Sequence, residues 1–378
     1  MDKLILQVGK LPRISSFEII YGNAAVLAKK NALAALVEGT DQRDVVPYLE
    51  FFLSGNRFWG KKVPCLLTLK NEEAKLCAAV LLYEYRPWRV PTRIFTSADF
   101  YGVRSVLAPA DMRATVAQAA ADFLIRRGAC VALITVKTGN FSAESGGRGL
   151  TCATQTRTLP RLLPLRATFD ETVSTMGAHT RRNLRAAYRR VRTKLGGSFV
   201  IDPELSEREF LAINRVCMYP VASAVAKWRF RCAHELPGRL FAGLRTEDGR
   251  WLSLAGGRHL DGITSIDWQM NISDLPTWSI GTAMRAYLIE HEVNRGTSFL
   301  TFEGGTPHSM HQAFLQEEVS NLLLAKPYLS PAILRAILPK MMPKVSLLVQ
   351  MITSDNVIWH SKSLRPKPMF CPQKGIQS

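Results

Sequence analysis

The amino-acid sequence predicts a mixed α/β (α+β) protein made of two tandem copies of one unit, each a mostly antiparallel, twisted sheet flanked by helices. Three observations carry this. The chain has 378 residues, more than one hydrophobic core ordinarily holds, so two domains are expected. The order strand, strand, helix, strand occurs twice along it. Each of the two helices ends in Arg-Gly, at Arg127-Gly128 and Arg295-Gly296, with glycine as the residue that closes a helix before a strand.

In the first half, the mostly apolar KLCAAVLLYEY (75–85) and RIFTSADF (93–100), which is rich in β-branched and aromatic residues, predict strands. DMRATVAQAAADFLIRRG (111–128) has helical spacing, and ACVALITV (129–136) predicts a buried strand. TGNFSAESGGRGLTCATQT (138–156), rich in Gly, Ser and Thr, predicts a linker or loop. In the second half, helices are expected over about 206–218 and 221–235, then a strand, a turn at Glu247-Asp248-Gly249 and another strand. RWLSLAGGRHL (250–260) and GITSIDWQMN (262–271) predict a hairpin turned at Asp261-Gly262. SIGTAMRAYLIEHEVNRG (279–296) predicts a helix, TSFLTFE (297–303) a strand, and EVSNLLLAKPYL (318–329) one more strand. From SPAILRAILPKMMPKVSLLVQMI onward the chain is basic, amphipathic and broken by proline, which predicts a helix packed on the domain or lying on a membrane surface.

Charge narrows the choice of partner. The net charge of +18 points to something anionic: nucleic acid, an acidic membrane face, an acidic carrier protein or a phosphorylated cofactor. Much of it is concentrated in HTRRNLRAAYRRVRTKL (179–195), which holds seven Arg and Lys and no acid. At ~100° per residue, Leu184, Tyr188, Val191 and Leu195 form one apolar stripe, and Arg181, Arg182, Arg185, Arg189 and Arg192 flank it. The run predicts a docked helix with a cationic edge for phosphate groups. Seven cysteines, with no CxxC pair and mostly in apolar stretches, fit reduced core residues of a cytoplasmic protein. No window approaches the ~18 consecutive apolar residues of a membrane span, and no signal peptide is evident.

The order of elements resembles the GCN5-related N-acetyltransferase (GNAT) superfamily, and residues 165–327 resemble its FemAB/BioF2-like branch, whose members carry tandem GNAT domains. HTRRNLRAAYRRV, ITSIDWQMNISDLPTWSIGTAMRAYLIEHEVNRG and TFEGG…HQAF…VSNLLLAK carry the likeness. Gly281 matches the small-residue turn that opens the helix, Glu303 the acidic residue of the next strand, and His311 the basic position before Phe314. The resemblance implies a GNAT-like domain over 1–155, an acyltransferase domain over 156–330 and an extension over 331–378. It implies acyl transfer from acyl-CoA to an amine of unknown identity (a small metabolite, amino acid or cell-envelope precursor), with an aminoacyl-tRNA donor, and hence tRNA as a partner, as the alternative. A third reading is a non-catalytic binder of nucleic acid or of an anionic membrane surface. Ser279-Ile280-Gly281-Thr282-Ala283 departs from the usual glycine-rich cofactor turn, and His311 stands where relatives often have Lys.

Chemistry selects the candidate residues. The first N–H groups and positive end of a helix starting at 279 make an anion site, and Ser279, Gly281, Thr282 and Ala283 are small enough for a pyrophosphate to approach the backbone. Acyl transfer needs a neutral amine, a stabilised oxyanion and an acid for the leaving group. Glu303 at a strand end, Asp267 in SIDWQ and His311 are the candidates for proton transfer, and Arg181, Arg182, Arg185 and Arg189 for phosphate binding. His308 and His311 have metal-ligand spacing but lack an evident third ligand, so no metal is expected. GNRFWGKK (55–62) fits GxxxxGK but lacks the Ser or Thr that would hold Mg²⁺.

Overall fold

The computed structural model describes residues 14–42, 45–55, 62–71, 73–97, 105–137, 141, 149–303, 308–342 and 347–360. The first half contributes β1 (Ile14–Tyr21), α1 (Asn23–Leu27), α2 (Lys30–Val37), α3 (Val45–Gly55), β2 (Lys62–Asn71), β3 (Leu76–Tyr85), β4 (Ile94–Thr96), β5 (Val106–Leu107), α4 (Arg113–Arg126), β6 (Val131–Lys137) and β7 (Thr151–Pro164). Next come α5 (Phe169–Ser174), α6 (Ala178–Lys194), β8 (Ser198–Ile201), α7 (Glu207–Val216), α8 (Ser223–Glu235), β9 (Arg239–Arg245), β10 (Trp251–Leu260) and β11 (Ile263–Asn271). The chain continues through α9 (Ile280–Asn294), β12 (Phe299–Phe302), β13 (Leu315–Ala325), α10 (Pro331–Met341), α11 (Leu347–Thr353) and β14 (Ile358–His360).

The expected repeat is present as topology. In the first half β3 pairs antiparallel with β4, and β4 runs parallel to β6 across the α4 connection, with Ile94 opposite Val131. In the second, β10 pairs antiparallel with β11, and β11 runs parallel to β12 across α9, with Ile263 opposite Phe299. A parallel pair needs such a crossover, so the helical spacing at 111–128 and 279–296 dictates the sheet order around it. Gly128 and Gly296 have positive φ, as their place after the helices requires.

One sheet spans both halves, in the order β1-β2-β3-β4-β6-β13-β7-β12-β11-β10-β9-β8. The strand after β6 and the strand after β12 have changed places. β7 reaches across to pair with β12, β13 reaches back to pair with β6, and the two pair with each other from Leu315↔Leu162 to Ala325↔Thr151. A buried amide ladder pins this seam. Thr135 Oγ1 donates to Asn321 Oδ1 (2.7 Å), Asn321 Nδ2 to Gln155 Oε1 (3.0 Å), and Gln155 Nε2 to Asn356 Oδ1 (2.6 Å). A one-residue slip would break it. The expected domain boundary at 155/156 therefore falls inside β7. The expected linker 138–156 is corrected at its end, where TCATQTRTLPRLLP is a fourteen-residue strand; Thr and alternating apolar residues suit a pleated surface.

Helices cover both faces. α4 packs on one face of the first half, with Val116, Ala120 and Leu124 against Leu82, Ile134 and Leu322. α6 and α9 share a core with Leu163, Ile266, Leu300 and Phe302, while α7 and α8 pack on Phe241, Leu254 and Trp268. The C-terminal stretch packs on the protein: Leu334, Leu338, Leu348 and Ile352 sit on Leu133, Ala153 and Leu323, although Ile333, Ile337 and Met341 of α10 stay exposed. Among the described residues no helix is long and apolar enough to cross a membrane. Residues 56–61 of the GxxxxGK stretch lie outside the described residues.

Candidate active site where a parallel strand pair ends

β11 and β12 pair only as far as Ile266↔Phe302, where the Glu303 N–H donates to Ile266 O (2.9 Å). Beyond that point β11 keeps β10 on one side, and among the described residues its other side meets no strand until the Cys217↔Ile272 bridge. Past Ile266 and Phe302, where β12 ends, this edge of β11 is left open among the described residues; this open edge is the wedge, with Ile266 and Phe302 as its apex.

A β-bulge shapes the wedge. Gly256 stands opposite Trp268 and Gly257 opposite Ile266, leaving Asp267 as the extra residue. The glycines are required by contact. A Cβ on Gly257 would come within 1.8 Å of Ser265 O, and one on Gly256 within 2.1 Å of the Trp268 ring. One inserted residue flips the faces of a strand. Before the bulge Thr264 donates to Glu292 of α9; after it Gln269 Nε2 donates to Gly281 O (3.2 Å) and Asn271 lies beside Gly281.

The same bulge turns Asp267 away. Its carboxylate accepts from Arg258 Nε (2.9 Å) and Ser265 Oγ (2.9 Å), with both side chains of the ion pair under 5% exposed. Arg258 Cζ lies 4.4 Å from the centroid of Phe51 on α3. Asp267 therefore faces the α3 and α8 side of the sheet, opposite the α9 residues 279–283, and holds a buried guanidinium. Sequence spacing could not show this, because the bulge is set by the glycines of the partner strand.

α9 begins at the mouth of the wedge. Ser279, exposed and in the left-handed region (φ 53°), makes no side-chain cap; Thr282 and Ala283 N–H both donate to Ser279 O. The N–H groups of Ile280 and Gly281 are the donors of this turn with no partner among the described residues. Gly281 itself is required by Asn271: a Cβ would meet Asn271 Nδ2 at 3.0 Å. One turn further on the same face stands Arg285. Its Cζ lies 5.9 Å from the Phe302 ring centroid, its Nε is buried with no hydrogen-bond partner, and burial pushes the guanidinium below its ordinary value.

The 3-10 turn His308–Ala313 closes another side. Phe314 packs 6.4 Å from Phe302, and its N–H donates to His311 O, which ties the backbone of this turn to the end of β12. Glu303, 6% exposed, pairs with Arg161 (3.4 Å) from β7; Arg161 also reaches Glu317, which pairs with Lys137 (2.8 Å). The exchanged strands thus deliver Arg161 and Glu317 to the strand end that carries Glu303. Among the described residues no group of three or more His, Cys, Asp or Glu is placed to hold a metal ion.

α6 buries Leu184, Tyr188 and Val191 as its stripe requires, with Leu195 packed partly against the same core. Its arginines divide. Arg185 pairs with Asp170 of α5 (2.7 Å), an acid from outside the run. Arg181 donates to Ser174 O (3.2 Å) and Arg192 to the Tyr188 hydroxyl (2.9 Å), which in turn donates to Glu290 (2.7 Å). Burial and the Glu290 carboxylate push Tyr188 up to about 12. Arg182 and Arg189 are exposed. The cation that reaches the α9 mouth is Arg190, from the opposite side of the stripe, donating to Thr277 O (2.7 Å). The five-arginine flank and the α9 mouth are therefore separate surfaces. Sequence reasoning passed over Arg190, Arg285 and Arg161; only Arg285 carried a local signal, four residues after Gly281.

The equivalent place in the first half is filled. Arg113, the first residue of α4, is buried, donates to Ala108 O (3.1 Å) and pairs with Asp41. The Arg113 guanidinium holds the Asp41 carboxyl below its ordinary value. The protein supplies its own anion there.

No protein-family model matches the sequence, and no curated protein does. Among solved structures, FemX is 8% identical, with 77% of this chain and 95% of that chain covered and a TM-score of 0.50. L-PGS from Bacillus licheniformis is 13% identical over 79% of this chain and 91% of that one, at a TM-score of 0.46. A tandem GNAT protein from the clavulanic acid biosynthesis pathway is 13% identical over 82% and 99%, at 0.45. At these identities the likeness is one of fold alone, and it is a likeness to the fold of FemX, in keeping with the two-unit arrangement that the sequence resemblance implied.

Proposed function

We propose that the chain is an acyltransferase that moves an acyl group from acyl-CoA to an amine, with the wedge at the open edge of β11 as its site. One observation carries the reading: the parallel pairing of β11 and β12 ends at Ile266 and Phe302, and the helix that connects them starts beside the open edge of β11 with N–H groups on Ile280 and Gly281 that have no partner among the described residues. A helix start of this kind attracts phosphate. Ser279, Gly281, Thr282 and Ala283 put little bulk in the way, and Arg190 adds a cation at the same end.

In this reading the donor's phosphates lie at the helix start and its thioester lies in the wedge. The amine nitrogen attacks the thioester carbonyl, the C–N bond forms as the C–S bond breaks, and the thiolate takes up a proton. Glu303 is the group assigned to take the proton from the amine, held in place by Arg161; His311 is the acid assigned to the leaving thiolate. Asp267, the other candidate acid, is assigned in this reading to neutralising Arg258 rather than to proton transfer, which the ion pair supports. A positioned base contributes typically ~10²–10⁴-fold.

A second reading is favoured by a separate observation. The exposed Arg182 and Arg189 form a basic surface away from the α9 mouth, suited to the backbone of a polyanion such as an aminoacyl-tRNA donor. The discriminating experiment follows thiol release from a panel of acyl-CoAs over a panel of amines, beside amide formation from charged tRNA at two salt concentrations. Turnover with acyl-CoA supports the first reading. Turnover with charged tRNA alone, falling steeply with salt, supports the second, and neither would remove both.

A further inference from the structure

Arginine is always charged, so a guanidinium withdrawn from water needs an acid or a full set of acceptors. The two fully buried arginines obey this, whereas the half-buried Arg157 and Arg229, like Arg285, are pushed below their ordinary values by burial. Arg258 pairs with Asp267, and Arg113 with Asp41. Arg285 does not. Among the described residues no ion pair or hydrogen bond reaches its guanidinium, its Nε is buried, and its neighbour is the ring of Phe302. Its place is specific. It lies four residues, or about 6 Å of helix rise, beyond Gly281, beside the last paired residue of β12, which is the apex of the wedge.

We infer that Arg285 is the anchor for a carboxylate on a substrate that enters the wedge, an inference that rests on the acyl-transfer reading. Depth selects the carboxylate. A donor phosphate at the α9 mouth stays beside the N–H groups of Ile280 and Gly281, whereas Arg285 meets the end of the ligand where bonds are made. A planar monoanion matches the fork made by Nε and one Nη, and it costs less to strip of water than a phosphate dianion. Phe302, with Phe314 packed against it, puts an apolar ring beside the guanidinium, which strengthens the pair once water is displaced. The carboxylate belongs either to the amine acceptor, making it an amino acid or a peptide terminus, or to the acyl group, making it a dicarboxylic half-thioester.

Two turnover comparisons separate these sources. The first sets glycine, L-alanine and L-lysine against their carboxamides with acetyl-CoA as donor. The second sets succinyl-CoA against acetyl-CoA with an uncharged amine. The carboxylate partner of one arm should be preferred by about tenfold or more in kcat/KM. Arg285→Met should erase that preference, and Arg285→Lys should keep part of it. A readout free of turnover is the melting temperature. Arg285→Met removes an unpartnered cation from beside an apolar ring, so the ligand-free variant should melt above the wild type, and stabilisation by succinate over succinamide should vanish. Lack of preference in both arms of an active wild type would overturn the inference, as would a preference that survives in Arg285→Met. Absence of turnover with every donor would instead sink the acyl-transfer reading, and the succinate and succinamide melts would still decide whether Arg285 holds a carboxylate.

Discussion

Asp267→Asn separates a structural from a catalytic account of the central strand. In the wild type the Asp267 carboxylate and the Arg258 guanidinium meet at 2.9 Å with 4% and 2% of their side chains exposed. The amide keeps the shape and removes the charge, so Arg258 stays buried beside Phe51 without its counter-ion. Breaking one partner of such a pair costs about 3–5 kcal/mol. For cooperative unfolding of 378 residues at about 2.1 cal/mol/K per residue, the unfolding entropy is about 0.8 kcal/mol/K and the loss is about 4–6 °C in Tm. Replacing both members, Arg258→Met with Asp267→Leu, should recover most of the loss, because well-packed apolar side chains often match a buried ion pair. Differential scanning fluorimetry gives the Tm values, and turnover well below each Tm gives kcat. A variant with unchanged Tm and kcat lowered a hundredfold would refute the reasoning and return Asp267 to the site.

Three further outcomes follow from the geometry. Arg113 holds Asp41 below its ordinary value, so this carboxylate contributes stability above its unfolded value near ~4 and loses it as pH falls through the depressed folded value; wild-type and Asp41→Asn melting curves should differ at pH 6 and converge in acid. A gap that persists at the acid end would contradict it. Gly281→Ala drives a methyl to 3.0 Å from Asn271 Nδ2 and disturbs the bonds Asn271 accepts from Ser253 and Gln269, so Tm should fall by the equivalent of ~1 kcal/mol and calorimetric donor affinity should weaken; an unchanged Tm would show that Asn271 yields freely. Arg190→Ala should weaken acyl-CoA binding and leave polyanion binding intact, whereas Arg182→Ala and Arg189→Ala should do the reverse and each lower the salt slope by about one. Equal effects of all three on one ligand would merge the two surfaces.

Local pattern carried much of this architecture. The stripe Leu184, Tyr188, Val191 gave α6, the small residues from Ser279 gave the start of α9, and Asp261-Gly262 gave the hairpin of β10 and β11. Each rests on neighbours within a few residues. The parts that were hidden depend on distant partners. The exchange of β7 and β13 rests on partners far away in sequence, such as the ladder of Thr135, Asn321, Gln155 and Asn356, and the start of β7 reads locally as a loop. The bulge at Asp267 arises because Gly256 and Gly257 admit close approach on another strand, and it moved one candidate acid to the far face. The basic run was legible as charge, but which arginine meets the α9 mouth depends on how α6 crosses α9, and that brought Arg190 there instead of the five on the other flank.

The central claim is that a donor lies with its phosphates at the start of α9 and its acyl group in the wedge past the end of β12. A crystal structure with a thioether analogue of acetyl-CoA, which cannot transfer its acyl group, tests this most directly. The account predicts phosphate oxygens within hydrogen-bond distance of the N–H groups of Ile280 and Gly281, and the acyl carbon in the wedge near Glu303 and Phe302. An analogue bound on the arginine flank of α6, or beside Arg113 of α4, with the wedge closed by side chains, would contradict it.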